Sequence, residues 1–323
     1  MIPKPPPREG SLGFLYIPPY RVQGVSVAGE STSIQIPELD LCFDMGACPR
    51  SALASKYAAI SHGHMDHIGA LAYWCSQRRF QGMGTGKIIC DARLEGAIRG
   101  MMQGFVDLER QQTPYELIPL DGSPGVEQQI EIKNNIFLRA FHTEHTAPSL
   151  GYSIVEKRTK LREEFVGLPQ EKLRELKSRG QEITRDLEIP QIAYLGDTLP
   201  GAHLLREDVR KAQIIITECT FFEPDHRGRA RIGMHLHAED IAEWLRVVEC
   251  EAMVLTHVSR RTHLPEAAQA LRALAGEELT KKVHFLMDHR ANRQRYDIQA
   301  EAARVREAEL AARDQAVKSH NDG

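Results

Sequence analysis

Four side chains that bind metal ions fall within six positions of the stretch 60–69, which reads Ile-Ser-His-Gly-His-Met-Asp-His-Ile-Gly: His62, His64, Asp66 and His67. Imidazole and carboxylate are the usual donors to zinc and related divalent ions, and four so close together have no place in an apolar core. His62 and His64 are two apart, so in extended chain they share a face and can grip one ion. Asp66 and His67 are adjacent and point differently, which suits a second ion beside the first. An apolar lead-in at 57–60 and a helical spacing of Ile68, Leu71, Ala72 and Cys75 put the cluster on a strand-to-helix turn.

The second half of the chain repeats one device, an apolar run that ends in a single ligand-type residue. The run 192–196 ends at Asp197, 214–217 at Glu218 and 253–256 at His257. Open α/β architectures build sites at the carboxyl ends of strands, so these residues can converge on the histidine turn. Phe141-His142-Thr143-Glu144-His145 offers two more histidines, and spacing does not choose between His142 and His145. Asp44 ends an apolar run as well, and reads equally as a helix cap or as support for a metal ligand.

These residues need a scaffold, and 323 residues with 42% hydrophobic content can bury a substantial core. A net charge of −3 excludes a globally basic nucleic-acid binder but leaves room for a local basic patch. The six cysteines (Cys42, Cys48, Cys75, Cys90, Cys219, Cys250) form no Cys-x-x-Cys pair and sit mostly in apolar runs, as reduced thiols of a cytoplasmic protein do. No 18-residue apolar stretch and no signal-peptide core are present, so neither a membrane nor secretion is expected.

In chain order, the proline-bearing residues 1–22 read as an extended, loosely ordered lead, and 23–292 as one catalytic domain. Strands are expected near 24–28, 33–36, 41–43, 88–90, 115–118, 127–132 and 135–142. Helices are expected over 67–79 and 92–110, the latter with Ile98, Met101, Met102, Phe105 and Leu108 as core filling. The segment 156–189 is a charged excursion with a helical stretch at 170–179 stopped by Gly180. Strands at 191–195, 213–217, 252–256 and 283–287 then alternate with helices at 238–248 and 265–275. From 293 to 323 the chain is a charged helical tail, disordered over 318–323. His237 and His263 read as surface histidines.

The pattern His62-x-His64-x-Asp66-His67 resembles the signature of the metallo-β-lactamase superfamily, and the second half resembles its ribonuclease Z branch, which releases the 3′ trailer of precursor tRNA. Gly196-Asp197-Thr198 is similar to that branch's fourth motif, and Leu255-Thr256-His257-Val258-Ser259-Arg260-Arg261 to its fifth. A third-motif histidine six residues before a Gly-Tyr pair selects His145. A catalytic histidine 22 residues before the fifth-motif histidine lands on His235, and the acid of a Glu-Ala-Thr-Phe stretch on Glu218. The resemblance covers about residues 40–290.

The resemblance implies an α/β fold, the αββα sandwich of two mixed sheets flanked by helices, with a dimetal site at the sheet edge. It implies two divalent ions, zinc foremost, with manganese or iron accepted by the same donors. His62, His64 and His145 would hold one ion, Asp66, His67 and His257 the other, with Asp197 bridging. Two ions so placed lower the pKa of a water so that hydroxide attacks phosphorus. Asp66 would orient that water, His235, positioned by Glu218, would protonate the leaving oxygen, and Ser259 and Arg261 would bind substrate. RNA, namely precursor tRNA, is the implied partner, and a homodimer the implied assembly.

The chain departs from the branch in several places. Its Gly-Thr-Gly, at 84–86, follows the ligand cluster, no Pro-Thr occurs, His235 is followed by Leu236-His237, and Arg261 by Thr262. The tRNA-gripping arm corresponds to 156–189 in a reduced form without Gly-Pro. The expected activity is a metal-dependent phosphodiesterase acting on tRNA 3′ ends. The alternative is hydrolysis of a small phosphodiester such as a cyclic nucleotide, or another hydrolysis of the same fold.

Overall fold

The structure, a computed structural model, describes residues 3–321, with side chains described through 311 and at 313. Aromatic and β-branched residues fill Gly13–Ile17 (β1) and Tyr20–Val27 (β2), types that favour a pleated surface. They pair antiparallel, and Ser31–Ile36 (β3) and Leu41–Phe43 (β4) extend the meander. Tyr57–Ala59 (β5), Gly86–Asp91 (β6) and Tyr115–Leu120 (β7) then add in parallel, giving one seven-stranded sheet in chain order. Parallel neighbours need crossovers. Met65–Ile68 (α1) and Leu71–Phe80 (α2) carry the chain from β5 to β6, and Glu95–Glu109 (α3) from β6 to β7.

The second sheet repeats this plan. Gln129–Lys133 (β8), Ile136–His142 (β9), Leu150–Leu161 (β10) and Thr184–Tyr194 (β11) pair antiparallel, with Gln170–Ser178 (α4) between the last two. Ile214–Glu218 (β12), Ala252–Thr256 (β13) and Val283–Phe285 (β14) follow in parallel, making seven strands again. Their connections carry Glu207–Arg210 (α5), then Arg227–Gly233 (α6) and Ala238–Trp244 (α7), then Leu264–Ala275 (α8) and Glu277–Thr280 (α9). His289–Asn321 (α10) follows β14 and meets β1 through Phe14 and Tyr296, edge to face at 5.7 Å.

Three apolar layers result. Phe43, Tyr152, Tyr194, Ile34, Leu138 and Val254 lie in the cluster between the sheets. Trp74, Leu71 and Met102 pack helices on the first sheet, and Trp244, Ile241 and Leu271 pack helices on the second. The αββα sandwich expected of the sequence is the fold observed.

Several boundaries differ from the expectation. Residues 1–22 are not all a loose lead: Phe14, Leu15, Tyr16 and Ile17 are buried, because β1 completes the sheet edge and α10 covers it. The helix expected over 67–79 is two. The Ala70 amide bonds the Met45 carbonyl at 2.9 Å and the His67 carbonyl takes the Met45 amide at 2.7 Å, which ends α1 before α2 begins. The apolar stripe of α3 is core only at Ile98 and Met102, whereas Phe105 and Leu108 are exposed. The charged segment 156–189 is continuous with the sheet, since the β10–β11 ladder runs out to Leu161↔Thr184 before α4. α10 reaches Asn321, so positions 318–321 are helical, and 322–323 lie outside the described residues.

Candidate metal centre

The carboxyl ends of β5, β11, β12 and β13 and the β9–β10 turn bring the strand-end residues together. Backbone compromises allow it. Gly46 passes so close to the histidine turn that a Cβ there would sit 1.7 Å from the Asp66 carbonyl oxygen. Gly196, at φ +61°, lets Asp197 approach Ser61, whose Cβ would otherwise meet a new Cβ at 2.6 Å. Asp44, Met234 and His257 hold left-handed backbone at φ 58°, 56° and 53°. Each such residue costs about 1–3 kcal/mol, which the surrounding contacts must offset.

Two donor sets form. His62, His64 and His145 bring one ring nitrogen each within 4.8 Å of the others, and a carboxylate oxygen of Asp66 and one ring nitrogen each of His67 and His257 lie equally close together. Asp197 lies between them: its Oδ2 is 3.9 Å from His62 Nε2, 3.3 Å from His67 Nε2 and 3.2 Å from His257 Nε2. Asp66 Oδ2 is 3.3 Å from His257 Nε2 and also takes the Gly29 amide at 3.0 Å. His142 stands apart, its Nε2 3.8 Å from Asp91, so of the two histidines in that turn only His145 joins the cluster.

The ring nitrogens facing away are pinned, which decides where each lone pair points. His67 Nδ1 is 2.7 Å from Asp44 Oδ2, a carboxylate that can only accept. Ser61 Oγ gives its proton to Asp44 and so accepts from His62 Nδ1 at 3.0 Å. Thr220 Oγ1 gives its proton to Glu218 and accepts from His257 Nδ1 at 3.0 Å. His145 Nδ1 donates to the Met234 carbonyl at 3.0 Å. In the neutral form, all four rings present Nε2 as an acceptor lone pair to the cluster. His64 is reversed: its Nδ1 faces His145 Nε2 at 3.3 Å, with Thr146 at its Nε2.

Nε2 of His62 and of His67 is buried without a hydrogen bond, which is costly unless something else satisfies it. Burial, with the charge of neighbouring His67, pushes His62 down to about 2, so it stays neutral. Burial also pushes His145 down. For Asp197 burial acts upward, but His257 and His67 hold its carboxyl well below the usual range. His67 goes the other way: burial lowers it, yet Asp197 and Asp44 raise it well above its ordinary value. A proton on His67 answers a demand for positive charge that divalent cations would meet. Neutral imidazoles, ionised carboxylates and orphaned nitrogens fit such cations.

His235 sits on the rim, with Nδ1 2.9 Å from Glu218 Oε1. Burial lowers its pKa, but the charge and hydrogen bond of Glu218 raise it to about 9. Glu218 is itself buried, and holds the Thr198 amide at 3.0 Å. His235 follows the left-handed Met234 whose carbonyl steadies His145. Asp44 is not a helix cap: it accepts from the Ser61 amide at 2.6 Å, from Tyr194 and from His67, and its carboxylate is buried.

Ser259 and Arg261 lie after His257, half-buried and exposed; Ser259 Oγ takes the Arg261 amide at 3.3 Å and the Ser259 carbonyl the Thr262 amide at 2.9 Å. His263 is at the surface, but His237 is buried, contrary to expectation. It begins α7, taking the Glu239 amide on Nδ1 and giving Nε2–H to the Glu223 carbonyl at 2.9 Å. Capping needs no periodicity, so nothing in the sequence pattern revealed it. The supports Ser61, Thr220 and Tyr194 were also missed; Ser61 and Thr220 lie within two residues of named site residues, whereas the Met234 carbonyl left no trace in residue types.

Comparison with known proteins gives the family and the fold. Residues 47–258 match the family described as the beta-lactamase superfamily domain. The chain is 32% identical over 270 residues to the chloroplastic tRNase Z TRZ2 of Arabidopsis thaliana, spanning 82% of this chain and 74% of that one. It is 30% identical over 258 residues to tRNase Z TRZ1 of the same plant, spanning 79% and 91%. The crystal structure of human tRNase Z, short form, shares the fold at a TM-score of 0.52 and 16% identity, over 85% of this chain and 95% of that one.

Proposed function

Because the chain belongs to the metallo-β-lactamase superfamily and, within it, to the ribonuclease Z family, we propose that it is a metal-dependent endoribonuclease that processes the 3′ ends of precursor tRNA. The observation that carries this is the convergence of two three-residue donor sets, a carboxylate between them and a rim histidine charged by a buried glutamate.

His62, His64 and His145 would hold one divalent ion, Asp66, His67 and His257 the other, with Asp197 shared; the imidazole-rich set suits zinc, and manganese or iron as alternatives. Such ions supply Lewis acidity and lower the pKa of water. The chain's own residues do the rest. Asp66, anchored by the Gly29 amide, orients the attacking water. Asp44, Ser61, Thr220 and the Met234 carbonyl keep the imidazoles in one tautomer. His235, charged at neutral pH through Glu218, gives its proton to the leaving oxygen, a contribution of about 10²–10⁴ in rate. Ser259 and Arg261 at the exposed lip contact substrate phosphate.

One observation favours the small-phosphodiester reading. The segment 156–189 carries nine basic and eight acidic side chains, and most are paired: Arg158 with Glu156, Arg162 with Glu182, Arg185 with Glu163, and Lys172 and Arg179 with Glu175. Single-turnover cleavage of a precursor tRNA beside bis(p-nitrophenyl) phosphate, with metal-loaded protein and the Asp66→Ala variant, decides between them. Junction cleavage lost in the variant supports RNA processing, whereas turnover of the chromogenic diester alone moves the substrate to a small molecule.

No described helix is long and apolar enough to cross a membrane. All six cysteines are free thiols, and we place the chain in a reducing, cytoplasmic compartment on that ground. A symmetric dimer belongs to the same proposal, and sedimentation at micromolar concentration tests it.

A further inference from the structure

α6 carries three arginines whose surroundings differ. Arg227 pairs with Glu239, and Arg231 with Asp240 at 3.0 Å. Among the described residues, Arg229 has no carboxylate partner. Its Nη1 donates instead to His226 Nε2 at 3.1 Å, and its guanidinium stands 5.7 Å from the centre of the Phe221 ring. His226 is held in turn, with Nδ1 3.0 Å from Glu223 Oε2. A carboxylate only accepts, so Nδ1 carries the proton and Nε2 is fixed as the acceptor for Arg229. The result is a positioned guanidinium with donors to spare.

Phe221 is equally well placed. Its neighbour Phe222 is buried and packs on Phe285, whereas Phe221 stays half-exposed. Its carbonyl takes the Ala238 amide at 2.9 Å, which fixes the backbone to the start of α7. Its ring centre lies 6.2 Å from that of His235, and the edge-on His226 ring closes another side at 6.0 Å. A half-exposed aromatic ring beside the group that meets the leaving oxygen, with a carboxylate-free arginine next to it, offers a nucleotide both things it presents: a π-face and a phosphate.

We propose that Phe221 and Arg229 form a nucleotide subsite on the lip of the cleft. Phe221 stacks on the base of the nucleoside that carries the leaving oxygen, and Arg229 binds the neighbouring phosphodiester. The subsite rests on the RNA-cleavage reading above and adds to it where the substrate is gripped. Stacking accepts any base, so the subsite positions the chain at the scissile bond without reading its sequence.

The test is a cycle on single-turnover cleavage of a precursor tRNA by the metal-loaded full chain. Wild type and Phe221→Leu each receive RNA with the natural nucleotide or an abasic one at the position carrying the leaving oxygen. Each single change should lower kcat/KM by about tenfold, chiefly through KM, and the combination should lower it no further. Phe221→Trp should restore the rate on the natural RNA but not on the abasic one. Arg229→Gln should reduce the salt dependence of RNA binding by about one phosphate contact. Losses that multiply in the double change, or an abasic RNA cut as well as the natural one, overturn the subsite alone. A wild-type protein that leaves the RNA uncut removes the functional reading and the subsite with it.

Discussion

The strand-end cluster, which draws on both sheets, and the arm built on β10 and β11 of the second are under opposite constraints. In the cluster, His62, His67, Asp44, Asp197, Glu218 and His257 are all buried; a serine, threonine, tyrosine or backbone group braces His62, Asp44, Glu218 and His257, and Asp44 in turn braces His67. In the arm, the charges are exposed and largely cancel one another, while Lys160, Arg174 and Lys177 have no ion-pair partner among the described residues. Buried polar groups are expensive unless satisfied, so the cluster tolerates few arrangements. Exposed ion pairs contribute about 0–1 kcal/mol each, so the arm can vary freely. The chemistry is therefore rigidly specified, and the grip on substrate is the adjustable part.

The largest effect that contrast predicts is at Asp197. Asp197→Ala should abolish turnover on RNA and on a chromogenic diester alike, by about a thousandfold or more, and lower the metal retained after dialysis. Full metal content with intact turnover would remove Asp197 from the centre. His235→Ala should separate the two properties, with metal content unchanged and turnover down by about 10²–10⁴; an unchanged rate takes His235 out of the mechanism.

Next comes the brace. Asp44→Asn leaves the six ligand side chains of the two donor sets in place but weakens the hold on His67, and should cost about 10–100-fold in metal affinity measured by competition with a chelator. On the arm, alanine at Lys160, Arg174 and Lys177 together should flatten the salt dependence of tRNA binding by about two to three phosphate contacts and leave the chromogenic diester untouched. Equal losses on both substrates would mean that the arm supports the fold rather than the grip.

The subtlest effect is in pH. His235 is raised from 6.5 to about 9 in the folded protein. A raised histidine is charged below that value, so activity that needs its proton persists to about pH 9 and falls above it. By the same linkage, its contribution to stability is full below pH 6.5 and disappears as pH rises through 9. Glu218→Gln removes the charge that raises it, so the alkaline limb of kcat should move down toward 6.5. A limb that stays in place assigns it to another group.

The fold was largely legible in the sequence because alternation of apolar runs with helical spacing is a local signal, and β13 falls at 252–256 as read. The misreadings share a cause. β1 reads as a loose lead because its burial comes from β2 and from α10, almost 300 residues away. His237 reads as a surface residue because capping is local geometry without periodicity. Phe105 and Leu108 kept an apolar rhythm whose burial ends before the helix does.

By itself the sequence determined the donors. Residue type sets which atoms can bind a cation, and spacing within the histidine turn sets which can act together. Tertiary structure alone decided that Asp197 lies within 4 Å of His62, His67 and His257 and that Nε2 of His62, His67, His145 and His257 faces inward. Those outcomes depend on partners distant in the chain, such as Asp44 with Tyr194 or His145 with the Met234 carbonyl, which only folding brings within hydrogen-bond reach.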